Sequence, residues 1–339
     1  MTKNPLCSIV MAVYNGAETL KEAIDSVLNQ TLIDFEFIII NDASNDNSEL
    51  IIKSYDDPRI IYIKNSCNKY LGPSLNEGIK IAQGDYIVRM DADDICLPNR
   101  LENQYNFMEK NRSIGISGTW AQLFGIRDGI LKYETEDSKI KIKLLYDCHI
   151  LHPSIIIRKS LIFKQNLFYD HNLQHSEDYD LFVRAFKHTE FANIGEVLIK
   201  YRTTESSETR ETDEFRNKFY NSTKIDLFQM LGIKINETEL MLYKNINLQR
   251  YNETPDYLLK SQSLLKRMIE SNKKTLLFNQ KAFENHIIKL FENVCRNSKE
   301  SSVHIFKVYC KSSLRSNILN KVKILSILLS KIILSTFKK

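Results

Sequence analysis

PSLNEGIKIAQGDYIVRMDADD, residues 73–94, is the stretch on which the reading of the fold turns. Pro73 suits the first turn of a helix, and Gly84 is placed to stop it. Residues 85–90, DYIVRM, then read as a strand whose carboxyl end is crowded by Asp91, Asp93 and Asp94. In an open α/β sheet, ligands bind outside the carboxyl ends of the strands. Three carboxylates in four residues repel one another unless a cation joins them. Mg2+ or Mn2+ prefers oxygen ligands and leaves positions free for substrate phosphate. A solvated acidic loop capping a helix that starts near Pro98 would use the same residues without a metal, and spacing alone does not separate the two.

Upstream of this stretch, strand and helix patterns alternate. CSIVMAV (7–13), FEFIIIN (35–41) and RIIYI (59–63) are short apolar runs of the kind found in strands covered on both faces. Between them, residues 17–30 place Leu20, Ile24, Val27 and Leu28 on one helical stripe, and residues 45–55 read as a second helix with Leu50, Ile51 and Ile52 as its apolar face. Strands separated by helices of about ten residues predict a parallel, doubly wound sheet. Beyond residue 91 the pattern becomes mixed: a helix near 98–110, strands near 114–126 and 129–133, a helix near 138–147, a strand at 154–158, a helix near 177–188 and a last strand at 192–202. From 213 onward the chain reads as helices. The boundary is expected near 205–215, dividing an α/β domain (1–210) from a helical C-terminal region (211–339) with a basic amphipathic tail at about 303–339.

Charge is unevenly placed. Residues 301–339 hold eight basic residues (Lys307, Lys311, Arg315, Lys321, Lys323, Lys331, Lys338, Lys339) and no acidic one, leaving 39 basic against 42 acidic in the first 300. The overall +5 belongs to the tail, which is not the pattern of a globally basic nucleic-acid binder. The six cysteines form neither a CxxC pair nor a disulfide framework, and the N-terminus lacks a secretory apolar run, so a cytoplasmic setting is expected. The last apolar stretch, ILSILLSKIILSTF (324–337), is broken by Ser326, Ser330 and Lys331 and falls short of a membrane span.

Two further carboxylate sites stand out. Asp42 follows the second strand in NDAS (41–44), where it could accept a hydrogen bond from a uracil imide. Its neighbours Ser44 and Asn45 serve equally as a helix N-cap. Glu177 and Asp178 open the amphipathic segment HSEDYDLFVRAF (175–186), with Ser176 as a candidate cap. Acidic residues in a first helical turn are favoured by the helix dipole, and a carboxylate kept ionised there also suits a general base.

Taken together, SIVMAVYNG (8–16), FEFIIINDASND (35–46), GPSLNEGIKIAQGDYIVRMDADD (72–94), HPSIIIRKS (152–160), SEDYDLFVRA (176–185) and LIKYR (198–202) resemble the inverting family 2 glycosyltransferases of the GT-A fold. The resemblance covers about residues 6–203. It implies a Rossmann-like mixed sheet flanked by helices, with a helical C-terminal extension. It also implies transfer of a hexose or N-acetylhexosamine from a UDP-sugar to a glycan hydroxyl, with Mn2+ or Mg2+ as cofactor. Bacterial enzymes of lipooligosaccharide, capsule and O-antigen assembly are the nearest subgroup, those with β-1,3-N-acetylglucosaminyl activity looking most similar. On this resemblance Ala12, Val13 and Tyr14 line the uridine pocket and Asp42 holds the uracil. Asn68, Lys69 and Asn76 lie in the stretch that contacts ribose or diphosphate. Asp91 and Ala92 lie at the donor nucleotide, Asp91 touching the ribose or the metal's water shell, and Asp93 ligates the metal. Asp178 is the base and Glu177 a sugar ligand. His152, Arg158 and Arg202 are candidates for the acceptor or diphosphate, although His152 and Arg202 read equally as strand-end structural residues.

The chain has Ala12 where many relatives have Pro and Ala43 where many have Gly, both small enough to fit. The absence of a QxxRW-like segment argues against a processive synthase. A sugar-1-phosphate nucleotidylyltransferase would need a Gly-rich, basic loop after the first strand, where this chain has YNGAETL. A non-catalytic sugar-nucleotide-binding or scaffold protein is disfavoured by the joint presence of Asp93, Glu177 and Asp178. An oligosaccharide or lipid-linked acceptor is expected, and no nucleic acid. The tail, with Ile318, Leu319, Val322, Leu325, Leu329, Ile332 and Ile333 beside its lysines, either lies on the inner face of an anionic membrane or packs on protein.

Overall fold

The computed structural model describes residues 4–173, 175–205, 213–250, 256–298, 300–314 and 318–336. The first part alternates as expected: β1 (Cys7–Val13), α1 (Ala17–Leu28), β2 (Phe35–Asn41), α2 (Ser48–Lys53), β3 (Ile60–Lys64), α3 (Leu71–Ile81) and β4 (Tyr86–Asp91). Then follow β5 (Ile95–Cys96), α4 (Arg100–Lys110), β6 (Ile114–Gly125), β7 (Gly129–Leu131), α5 (Asp137–Leu144), a 3-10 turn at His152–Ser154, β8 (Ile156–Arg158), α6 (Lys159–Gln165), α7 (Glu177–Ala185) and β9 (Glu190–Thr203). One sheet runs β3-β2-β1-β4-β8-β6-β9-β5, with β7 paired to β6. Strands β3, β2, β1 and β4 are mutually parallel, whereas β8 joins antiparallel to both β4 and β6. The all-parallel pattern read from the first ninety residues therefore ends at β4, and the sheet as a whole is mixed.

Burial explains the apolar runs. Cys7, Ile9, Met11 and Val13 of β1 and Phe35, Phe37 and Ile39 of β2 point to one face, where they share a core with Leu20, Ala23, Ile24 and Val27 of α1. Val10, Ile38 and Ile40 point to the other face and meet α3. A strand covered on both sides needs apolar residues at every position, which is why no alternation is visible.

Three local expectations change. Of the three apolar residues expected on one face of α2, Ile52 is buried, Ile51 half-buried and Leu50 68% exposed, because three consecutive residues cannot share one helical face. Neither Ser44 nor Asn45 caps α2. Ser44 Oγ accepts the Asn15 N–H (3.0 Å), and Asp46 Oδ2 accepts the Ala17 N–H at the start of α1 (2.9 Å), so this loop ties the two helix entrances together. Helix α3 begins at Leu71, ahead of Pro73, and ends at Ile81. Gly84 answers a different constraint: a β-carbon there would stand 2.7 Å from the backbone of Cys7 and Ser8.

The chain divides into two compact units, residues 1–223 and 224–339. The expected boundary near 205–215 falls largely on residues 206–212, outside the described ones. Helix α8 (Asp213–Met230) runs through the division and is followed by α9 (Glu237–Asn247), α10 (Tyr257–Thr275), α11 (Gln280–Asn297), α12 (Ser302–Lys311) and α13 (Ile318–Thr336). Asn236 and Glu239 form a reciprocal capping box on α9. In α13 Ile324 and Leu328 are fully buried, while Leu329 and Ile333 remain about half exposed. The tail residues Arg315, Lys338 and Lys339, and the side chains of Ile318, Leu319, Lys321, Val322 and Lys323, lie outside the described set. Among the described residues no helix is long and apolar enough to cross a membrane.

The α3–sheet contact is close enough to be tested. A methyl group on Gly78 would lie 2.6 Å from Val10 Cγ1 and 2.9 Å from Ile40 Cδ1. Helix propensity favours Ala over Gly by about 1 kcal/mol, but overpacking a stiff branched core opposes it by about 1–3 kcal/mol. Gly78→Ala is expected to lower the urea midpoint modestly and Gly78→Val to lower it further. An alanine variant more stable than the wild type would contradict this packing.

Candidate active site

The parallel half of the sheet brings the sequence-predicted residues to one edge. Register pairs Ala12 with Asp91 and Val13 with Asn41, and the Asp42 N–H donates to Val13 O (2.8 Å). The carboxyl ends of β1, β2 and β4 thus open into one cleft of about 520 Å3. Ala12, Val13, Tyr14, Asp42, Asn68, Asp91, Ala92, Asp93, His152, Glu177, Asp178 and Arg202 all line it.

Asp91 and Asp93, which line it, and the buried Asp94 place ligating oxygens within 4.8 Å of one another. Each is held differently. Arg89, buried two residues back on the same face of β4, grips both oxygens of Asp91 (Nη2–Oδ1 2.5 Å, Nη1–Oδ2 2.7 Å). Asp94 Oδ1 accepts the Arg202 N–H (2.8 Å), while its Oδ2 is buried and has no hydrogen-bond partner among the described residues. Arg202 Nε donates to Asp93 O (2.7 Å), and Thr19 Oγ1 donates to Ala92 O (3.0 Å). Burial, then the charge of Asp91, pushes the Asp93 carboxyl up to about 6. Burial followed by Asp91 and Asp93 carries Asp94 well above the usual carboxylate range. A crowded set of hard oxygen donors with an orphaned buried oxygen fits Mg2+ or Mn2+.

At the end of β2, Asp42 is almost fully buried and accepts from Asn65 Nδ2 (2.7 Å) and the Lys69 N–H (2.9 Å), both on Oδ1. The Lys69 ammonium does not line the cleft and pairs with Glu77. Asn76 is also elsewhere: its amide clamps the Tyr169 backbone (2.8 and 2.9 Å). His152 Nε2 meets the Tyr169 hydroxyl at 2.8 Å, and burial, then Arg89, holds its pKa well below the ordinary histidine value. It is a neutral wall of the cleft. Arg158 is not brought to the cleft. It sits beside Tyr86 at the opposite end of β4, donating to the Tyr86 hydroxyl and to the carbonyls of Ile114, Met108 and Asn111.

Glu177 and Asp178 begin α7 at the cleft. Ser176 makes no side-chain cap to this helix; Asp178 Oδ1 accepts the N–H of Tyr179 instead (2.7 Å). Arg89, Tyr70, Thr19 and Tyr201 also line the cleft and were not singled out from sequence. Arg89 had a legible signal, a cation two places before Asp91 on a strand and so on the same face. Asn65, which orients Asp42, had none.

The "Glycosyl transferase family 2" model matches residues 8–170. The chain is 44% identical over 207 residues to an uncharacterized glycosyltransferase of Methanocaldococcus jannaschii, covering 58% of this chain and 71% of that relative. It is 29% identical over 204 residues to WfgD of Escherichia coli, a UDP-Glc:alpha-D-GlcNAc-diphosphoundecaprenol beta-1,3-glucosyltransferase, covering 60% and 79%. Among solved structures, S. aureus TarS 1–349 in complex with UDP-GlcNAc is similar with a TM-score of 0.59 at 16% identity, covering 85% of this chain and 88% of that one, which shows a fold of the GT-A kind.

The raised Asp93 carboxyl has a consequence for stability. In EDTA, folded Asp93 binds a proton up to about pH 6, whereas the unfolded chain releases it near 3.8. Through this group the metal-free protein therefore loses stability as pH rises from about 4 to 6. Asp93→Asn is expected to melt a few degrees above wild type in EDTA at pH 7.5 and to lose the stabilisation that Mn2+ gives wild type. Scanning fluorimetry reads both; an unchanged Mn2+ response contradicts the assignment.

Proposed function

This chain belongs to the family 2 glycosyltransferases, and on that premise we propose that it is an inverting enzyme that transfers a hexose or N-acetylhexosamine from a UDP-sugar to a hydroxyl of a glycan acceptor. The observation that carries the reading is the meeting, in one cleft, of Asp91, Asp93, Asp42 and Asp178, with the buried Asp94 carboxylate within 4.8 Å of the first two. WfgD, whose name gives UDP-Glc as donor and a diphosphoundecaprenol-linked GlcNAc as acceptor, supports a UDP-sugar and a lipid-linked glycan in surface polysaccharide or lipooligosaccharide assembly. It supports a β-1,3 linkage as well; β-1,3-N-acetylglucosaminyl transfer is the first activity to test.

Asp42, fixed by Asn65 and Lys69 N–H, accepts from the uracil imide, with Tyr14 and Val13 beside the uridine. Asp91, oriented by Arg89, faces the ribose. Asp93 and the unpartnered oxygen of Asp94, with Asp91 alongside, would hold Mg2+ or Mn2+, which when bound would supply Lewis-acid stabilisation of charge on the departing diphosphate. Asp178 takes the proton of the acceptor hydroxyl as its oxygen attacks the anomeric carbon, and the bond to UDP breaks on the opposite face. One in-line displacement inverts the centre, so an α-linked donor gives a β-linked product. Glu177 borders the same space and binds sugar hydroxyls.

We place the enzyme at the inner face of the membrane, where a lipid-linked acceptor is within reach. The half-exposed Leu329 and Ile333 of α13 are the apolar contacts for that surface, since Ile324 and Leu328 are already buried.

UDP release from UDP-glucose, UDP-galactose and their N-acetylated forms, with an acceptor panel read by mass spectrometry, tests the activity; it should vanish in EDTA and return with Mn2+. Asp178→Asn is expected to lower turnover roughly 10²-fold or more while calorimetry shows little change in donor affinity. Full turnover in that variant would refute Asp178 as base. Leu329→Glu with Ile333→Glu should reduce flotation with anionic liposomes at unchanged turnover on a soluble acceptor, and equal flotation would remove the membrane contact.

A further inference from the structure

Tyr70, the residue before α3, has φ 69° and ψ 172°. That region is essentially glycine's, because a β-carbon there crowds the flanking backbone. The surroundings enforce it. Tyr70 N–H donates to Asn68 Oδ1 (2.8 Å), Tyr70 O accepts the Ser74 N–H (3.2 Å), and the preceding Lys69 N–H is anchored on Asp42 (2.9 Å). The first turn of α3 cannot shift to relieve the strain, since Gly72 already lies where a β-carbon would come within 3.1 Å of Tyr169 Cβ.

A large aromatic is therefore kept where glycine would be easiest, and core packing does not account for it. The Tyr70 side chain is open to solvent, with the residue 55% exposed, and among the described residues its hydroxyl makes no hydrogen bond. Tyr70 lines the cleft, as does Tyr14, which is 53% exposed. The tether from Lys69 to Asp42 holds Tyr70 beside the strand end that carries Asp42. Flat apolar surface beside a nucleobase-recognising carboxylate suits the face of a nucleoside.

We infer that Tyr70 packs its ring on the base or ribose of the bound donor nucleotide, and that the strained backbone persists because this contact requires an aromatic side chain at that place. The inference rests on the nucleotide-sugar reading above. It makes Tyr70 a determinant of donor affinity, with no part in proton transfer or metal binding.

The test uses the full chain, with Mn2+·UDP and Mn2+·pyrophosphate as calorimetric probes. Tyr70→Gly should melt higher than wild type yet bind UDP roughly tenfold or more weakly. Tyr70→Ala, which keeps a β-carbon in the same backbone conformation, should lose UDP affinity similarly without the gain in melting temperature. Tyr70→Phe should bind UDP within about twofold of wild type, since the ring carries the contact. Pyrophosphate, lacking a nucleoside, should bind all four proteins alike. Wild-type UDP affinity in Tyr70→Ala, loss in Tyr70→Phe equal to that in Tyr70→Ala, or parallel loss of pyrophosphate would each overturn the inference. A wild-type protein that binds pyrophosphate but shows no preference for UDP would instead strike the nucleotide-sugar reading itself.

Discussion

Like-charge repulsion among Asp91, Asp93 and Asp94 is the constraint around which the cleft is organised. Their ligating oxygens crowd within 4.8 Å in a partly buried place, where the interaction is only weakly screened. The protein offsets part of it. Arg89 takes up Asp91 through both oxygens, the Arg202 backbone takes one oxygen of Asp94, and the Arg202 side chain braces the loop at Asp93 O. The compensation stops there: burial first, and then the charge of the neighbouring aspartates, shifts the carboxyls of Asp93 and Asp94 upward. Such a set of hard oxygen donors fits a divalent cation.

The sheet supplies the place for that charge. Because β1, β2 and β4 run parallel, all three end at the same edge, and the residues after them converge without long loops. Strand β8 enters antiparallel to β4, so the segment leading into β8 (His152–Ser154) arrives at that edge while Arg158 at its far end does not. The same reversal explains why His152 becomes a neutral wall beside Tyr169 and Arg158 a structural clamp on Tyr86. Two residues six apart in one motif part company because a strand lies between them.

Local pattern was informative where it reflected burial and uninformative where it depended on partners far along the chain. Strands β1 and β2 were legible to the residue, since both faces of each are covered and the run is apolar over almost its whole length. Helix α2 was misread in its face, because apolar content does not say which of three adjacent residues points inward. Asp42 was legible as a carboxylate at a strand end, but its orientation comes from Asn65 and the Lys69 backbone, and Ser44 and Asp46 proved to hold the entrance of α1. Lys69 and Asn76 sit in the expected segment, yet their side chains serve Glu77 and the Tyr169 backbone.

By itself, the sequence determined the α/β alternation, the acidic cluster at the tip of the fourth strand and the motif order that marks the family. These depend on neighbours within a few residues and on how much apolar surface each segment must hide. Only the tertiary structure decided which carboxylates are neutralised, which basic residues reach the cleft and that an aromatic lining it occupies a strained backbone. Each of those is set by strand direction and by contacts between residues tens of positions apart, and no local pattern encodes such distances.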